Sequence, residues 1–301
     1  MNKRLLIWCG ILLSAILALG AVPAPVREIS MLDIGQGDSL LFQDGTQQML
    51  IDGGPGADVL TRLAEEMPLM DRKIDVMVAT HFDRDHIEGL VHVLSRYDVG
   101  MVLLPRYVPT TDLGREFLDM IAQRNIPYRF GWYGQRISLG MFQFRVMSPI
   151  PGSEWERLIK NKSNNASIIM RADAVPRKNV RPISFLLTGD AESVIERQLL
   201  SSIQPEAFDV DVLKVGHHGS KTSTTQEFVQ AASPRISWVS VGADNTYGHP
   251  TNEVLSRLTQ TRIFRTDQDG TVSFLPTSSG WNVACGKKTY LPFAQHSCIQ
   301  R

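Results

Sequence analysis

The stretch Thr80-His81-Phe82-Asp83-Arg84-Asp85-His86 directly follows the apolar run from Ile74 to Ala79. It sets two imidazoles and two carboxylates where a buried strand opens into a loop before a helix. Convergent donors on a stiff platform are what a dinuclear metal centre requires. One aspartate of the pair, Asp83 or Asp85, would suffice to cap a helix beginning near Ile87. Two aspartates and two histidines crowded together without a cation would repel one another and lose solvation. Metal ligation is therefore the stronger reading.

Two more strand ends repeat the design. Phe185-Leu186-Leu187-Thr188-Gly189-Asp190 delivers a carboxylate after an apolar run, and Leu213-Lys214-Val215-Gly216-His217-His218-Gly219-Ser220 delivers two imidazoles after another. Taken singly, Asp190 reads as a helix cap and either histidine as an ordinary loop residue. Taken together, three apolar strands ending in Asp or His describe a site assembled along one edge of packed sheets.

The rest of the chain supplies those sheets. Ile183–Thr188, Val210–Val215 and Ile236–Val241 read as buried strands, while residues 87–97, 113–125, 192–201, 225–232 and 252–260 carry helical apolar spacing. Short strands joined by glycine turns are predicted at 29–34, 39–43, 48–51, 136–138 and 143–147. Strand-rich segments followed by strand–helix alternation, twice over, fit two sheets packed face to face with helices outside, an α/β class.

Composition narrows the function. The 301 residues are 43% hydrophobic and 21% charged, which excludes disordered, collagenous and coiled-coil chains. Lys plus Arg, 31, equals Asp plus Glu, 31, so no bulk basic field announces a nucleic-acid or membrane binder. Lys3 and Arg4 precede an uncharged apolar stretch from Leu5 to Val22, with small residues at Ala18, Gly20 and Ala21. That is the grammar of an export signal over residues 1–21, an uncleaved anchor being the competing reading. Residues 22–277 form one domain and 278–301 a tail. Cys285 and Cys298 would form a disulfide in an oxidising compartment, contributing roughly 3 kcal/mol.

The sequence resembles the metallo-β-lactamase superfamily, and within it the soluble hydrolase domain of competence (DNA-uptake) proteins. The matching pieces run in order over about residues 28–276. They are Asp33-Ile34-Gly35-Gln36-Gly37-Asp38-Ser39, Leu50-Ile51-Asp52-Gly53-Gly54, the His81–His86 cluster, Asn164-Asn165-Ala166-Ser167, Leu187-Thr188-Gly189-Asp190, Lys214 to Lys221, Tyr247-Gly248-His249-Pro250, Arg265-Thr266-Asp267 and Asp269-Gly270-Thr271.

The resemblance implies an αββα sandwich with metals at one edge. By position, His81 and Asp83 would serve a first ion, Asp85 and His86 a second, and Asp190 would bridge them. One histidine of the His217–His218 pair, His217 being favoured, would complete the second site. Asp83 and the pair Asn164–Asn165 stand where many members have histidine, so Asn165 is an alternative ligand. Oxygen donors suit manganese as well as zinc, with one or two ions held.

The resemblance also implies attack by a metal-bound hydroxide that Asp85 orients. Lys221 would hold a phosphate oxygen or stand exposed. His249 would donate a proton, and Asp33, Gln36 and Asp38 would form a hydrogen-bonded turn beneath the metals. The expected function is an exported phosphodiesterase acting on DNA, held weakly and salt-sensitively through Arg84, Lys214 and Lys221. The alternatives are hydrolysis of a small or cell-envelope ester, such as a phosphocholine ester, lactone or β-lactam, and a non-catalytic metal-binding module.

Overall fold

The computed structural model describes residues 26–160, 162–176, 180–278 and 280–286. The run before the first metal motif shows why the strands form. In the strand Val76–Val78, Val76 and Val78 face the partner sheet while Met77 faces helices. Ile183–Leu187 does the same, with Phe185 inward and Leu186 outward. A strand buried on both faces carries continuous apolar sequence, and each large side chain so buried contributes about 1.5–3 kcal/mol.

The first sheet contains β1 (Arg27–Met31), β2 (Leu40–Asp44), β3 (Gln47–Ile51), β4 (Val76–Val78), β5 (Val102–Leu104) and β6 (Tyr128–Phe130). The second contains β7 (Arg136–Leu139), β8 (Phe142–Ser148), β9 (Ile169–Ala174), β10 (Ile183–Leu187), β11 (Val212–Lys214), β12 (Ile236–Val239) and β13 (Arg262–Arg265). The chain then returns to the first sheet with β14 (Val272–Thr277) and β15 (Gly280–Cys285), giving the orders β15-β14-β1-β2-β3-β4-β5-β6 and β13-β12-β11-β10-β9-β8-β7. Each sheet pairs an antiparallel half with a parallel half, β3 to β6 and β10 to β13.

Helices α1 (Asp58–Glu66), α2 (Arg84–Arg96) and α3 (Asp112–Gln123) pack on the outer face of the first sheet through Leu63, Leu90 and Phe117. Helices α4 (Ser193–Ser202), α5 (Gln226–Ala232) and α6 (Asn252–Arg257) cover the second through Leu199, Phe228 and Val254. Between the sheets, Phe42 meets Phe142, Phe144 and Phe185 edge to face. The molecule is the αββα sandwich of the metallo-β-lactamase fold.

Some elements depart from expectation. Helix α2 begins at Arg84 rather than Ile87, so Asp85 and His86 ride its first turn. Ile74 belongs to a two-residue ladder with Val99, apart from β4. The tail expected from residue 278 opens as β15, antiparallel to β14. Cys285 is disulfide-bonded, whereas Cys298 and the expected signal, 1–21, lie outside the described residues. No helix among the described residues is long and apolar enough to cross a membrane.

Candidate metal centre

The parallel halves aim β4, β10 and β11 so that the loops after their C-terminal ends meet at one edge. That is where an α/β sheet offers a crevice. The first loop delivers His81, Asp83, Asp85 and His86, the second Asp190, and the third His217 and His218. Asp83 is the N-cap residue of α2 by position, yet its side chain makes no cap hydrogen bond. Its carboxylate is 3.8 Å from His81 Nε2.

Asp190 is the hub. Its Oδ2 lies 3.3 Å from Nε2 of His86, 3.3 Å from Nε2 of His218 and 3.8 Å from Nε2 of His217. Asp85 reaches His218 Nε2 at 3.3 Å. Asp85, His86, Asp190 and His218 therefore converge on one point. The sequence reading favours His217 at this place, but the structure puts His218 there. Consecutive left-handed residues, His217 at φ 49° and His218 at φ 53°, turn the second imidazole inward and leave the first 23% exposed.

Each inward imidazole is oriented by its Nδ1. Asp52 accepts the Thr80 amide at 2.8 Å and the Thr80 hydroxyl at 2.7 Å, and it takes His86 Nδ1–H at 2.8 Å. With its proton committed to Asp52, the Thr80 oxygen accepts from His81 Nδ1 at 3.0 Å. His218 Nδ1 donates to the Ser240 carbonyl at 2.9 Å. The Nε2 atoms of His81, His86 and His218 are all buried and without a hydrogen bond, as is Asp190 Oδ1. Buried polar atoms are rarely left so. Oriented imidazole nitrogens beside a buried carboxylate fit divalent cations once the imidazoles give up their protons.

Asp52 belongs to the Leu50–Gly54 motif, but the sequence reading gave it no role. A usable signal was a carboxylate at the end of a buried strand, followed by two glycines. Gly53 and Gly89 explain the spacing: a Cβ on Gly89 would lie 1.9 Å from the Gly53 carbonyl oxygen, so only bare backbone lets α2 approach Asp52. Gly37 plays the same part, since its Cβ would fall 2.1 Å from the Asp85 carbonyl.

The remaining candidates divide. Asp38 is buried beneath the cluster, ion-paired with Lys214 and 3.4 Å from His218 Nδ1. Asp33 instead ties its carboxylate to Arg62 at 3.7 Å and its amide to the Thr271 hydroxyl. Gln36 accepts from the Gly242 amide. Asn165 spans the Leu158 carbonyl and the Glu192 amide, so it braces a loop, and Asn164 is the asparagine that meets His217, at 3.3 Å. Lys214, read as a local cation for DNA, is fully buried, and its ammonium also donates to the Gly189 carbonyl at 3.2 Å. Lys221 is exposed. His249 packs its ring 5.8 Å from that of His217, and Tyr247 stacks on it at 5.8 Å.

Charge follows geometry. Burial opposes protonation of His86 and His218, but the carboxylates of Asp190 with Asp52, and of Asp190 with Asp38, overcome it and hold both well above 6.5. Burial, reinforced by the His86 charge, pushes His81 down to about 4. Burial would raise Asp85 and Asp190, yet the neighbouring imidazoles keep both below the carboxylate range. Burial raises Asp83, and burial with His217 and His218 lowers His249.

The metallo-β-lactamase superfamily model matches residues 32–119. That match takes in His81, Asp83, Asp85 and His86, and the layering of the two sheets agrees with it. The chain is 30% identical over 267 residues to ComE operon protein 3 of Bacillus subtilis (strain 168), covering 82% of this chain and 33% of that protein. It is 27% identical over 257 residues to competence protein ComA of Neisseria gonorrhoeae, covering 84% of this chain and 33% of that one. The chain thus spans about a third of the length of these curated relatives. Among solved structures, a CmlA β-hydroxylase variant superposes with a TM-score of 0.51 at 13% identity, over 84% of this chain and 54% of that one. That likeness is of fold alone.

Proposed function

We propose that this chain is an exported, metal-dependent phosphodiesterase that cuts DNA. The observation that carries the reading is the convergence of Asp85 and the Nε2 atoms of His86 and His218 on Asp190, with His81 Nε2 buried and unpartnered beside Asp83. His81 and Asp83 would hold one ion and Asp85, His86 and His218 another, with Asp190 between them. Zinc and manganese both suit this mixed nitrogen and oxygen set. Such ions supply Lewis acidity toward a phosphoryl oxygen and lower the pKa of water.

The chain's own groups do the rest. Asp85, held ionised, orients the attacking water. His249 stands beside His217 with Nδ1 buried and unpartnered, and it hands a proton to the leaving oxygen. Lys221 supplies a mobile cation for a phosphate. The resemblance to competence proteins supports a nucleic-acid substrate, and the disulfide at Cys285 supports an oxidising compartment. A balanced net charge and the burial of Lys214 make DNA contact weak and salt-sensitive.

The test combines bound-metal analysis with cleavage of single- and double-stranded DNA and of bis(p-nitrophenyl) phosphate, with zinc, manganese or magnesium, against Asp85→Ala. Metal-dependent cutting that Asp85→Ala abolishes supports the reading. Ester turnover with intact DNA moves the assignment to a small or envelope ester. Absence of both metal and turnover leaves a binding module.

A further inference from the structure

Phe82 lies between the candidate ligands His81 and Asp83, and it lines a cavity of about 380 Å³. Leu104 at the end of β5, Tyr107 and Val108 in the loop beyond it, Leu118 of α3, and Tyr128 and Phe130 of β6 form the other walls. The lining is apolar apart from Asp119 and the tyrosine hydroxyls. Val108, Tyr128 and Phe130 are 82%, 55% and 43% exposed, a concentration of large apolar side chains that soluble surfaces avoid without a use for it.

Three observations select the occupant. Phe82 is at once a wall of the groove and the residue between two candidate ligands, so groove and metal loop share one backbone segment. The groove's exposed rings are aromatic, with Tyr128 and Phe130 set 5.8 Å apart at 79°. An arginine lies close by: Arg106, next to Tyr107 in the chain, is exposed and holds its guanidinium 4.3 Å over the Trp132 ring, while Arg129 takes the opposite face of β6 from Tyr128 and Phe130. Exposed aromatic rings with an arginine close by suit planar bases on an anionic backbone. A three-residue edge strand carrying a central arginine is a poor template for an added peptide strand.

We propose that this groove is a stacking platform for a nucleobase of the strand whose phosphodiester sits at the metal cluster. The inference rests on the phosphodiesterase reading and gives it a preference for single-stranded or locally opened nucleic acid, because a base inside a duplex stack cannot enter a lateral groove.

Fluorescence anisotropy of the full chain, at low salt with EDTA so that nothing is cut, tests it with a labelled oligothymidylate and an abasic oligomer of equal length. The base-bearing strand is expected to bind roughly tenfold tighter, the scale of one stacked base. Tyr128→Ala with Phe130→Ala should erase the difference and leave thermal stability unaltered, and Tyr128→Phe with Phe130→Tyr should retain it. Equal binding of both probes by the unaltered protein overturns the proposal. So does a preference that survives the double alanine variant, or light scattering in which that variant converts an oligomer to a monomer with the preference unchanged. A base preference lost in the double variant, in a protein that cuts no diester with any metal, upholds the groove and removes the phosphodiesterase reading alone.

Discussion

Two loops bring histidines to the metal centre by different backbone means. In the loop after β4, the donors follow ordinary conformations: Asp83 is extended at φ −75°, and Asp85 and His86 lie on the first turn of α2. In the loop after β11, His217 and His218 are both left-handed, at φ 49° and 53°. The first loop places its donors by strand end and helix phase, both of which are local. The second places them by a strained turn held from outside, where the Gly216 amide donates to Thr224 and the His217 amide to the Gly189 carbonyl. Adjacent residues in that turn have different fates, one imidazole partly exposed and one fully buried.

Asp190 serves both loops, so Asp190→Ala should do the most damage: loss of hydrolysis by about a thousandfold or more, with loss of bound metal, read by initial rates and elemental analysis. The contrast within the second loop comes next. His218→Ala should weaken metal binding by about a hundredfold or more, whereas His217→Ala should keep the metal, both measured by competition with a chromophoric chelator. Equal losses would break the distinction drawn between the two imidazoles. In the first loop, Asp52→Asn should cost about 10–100-fold in metal affinity with the fold intact, because His86 loses the partner that sets its tautomer.

Acid and base separate the imidazoles again in the metal-free protein. His81 is depressed from 6.5 to about 4, so the stability it contributes is present above 6.5 and is lost as pH falls toward 4. His86 and His218 are raised well above 6.5, so their contribution is full below 6.5 and is lost as pH rises through those raised values. Urea unfolding of EDTA-treated protein from about pH 5 to about pH 9 should show both limbs. His81→Asn should flatten the acid limb and His218→Gln the alkaline one. Metal binding must displace protons from His86 and His218, so affinity should climb with pH. The smallest effect belongs to His217→Gly, which relieves one left-handed residue and should raise the unfolding free energy by up to about 1 kcal/mol, read as a higher urea midpoint.

Legibility follows the same division. Continuous apolar runs at 183–188 and 210–215 were readable as doubly buried strands because both faces of β10 and β11 meet hydrophobic layers. The central strand β9 was not singled out: Met170 and Ala172 face inward, but Arg171 and Asp173 interrupt the run and pair with each other at 3.0 Å. Asn165 and Asp33 had the composition of site residues, and only their hydrogen bonds to Leu158, Glu192, Arg62 and Thr271 show them bracing loops. Lys214 read as a surface cation because an isolated lysine is usually exposed. Its burial requires Asp38, which lies far away in sequence.

By itself the sequence determined the layered α/β class and the three strand ends from which donors project. Periodicity and apolar runs are properties of short segments, and they report burial directly. Tertiary structure alone decided which of two adjacent histidines turns inward, that Asp52 orients His86, and that Lys214 lies beneath the carboxylates. Each of those outcomes depends on groups brought together by sheet packing, and on backbone angles that a loop adopts only because its neighbours hold it there.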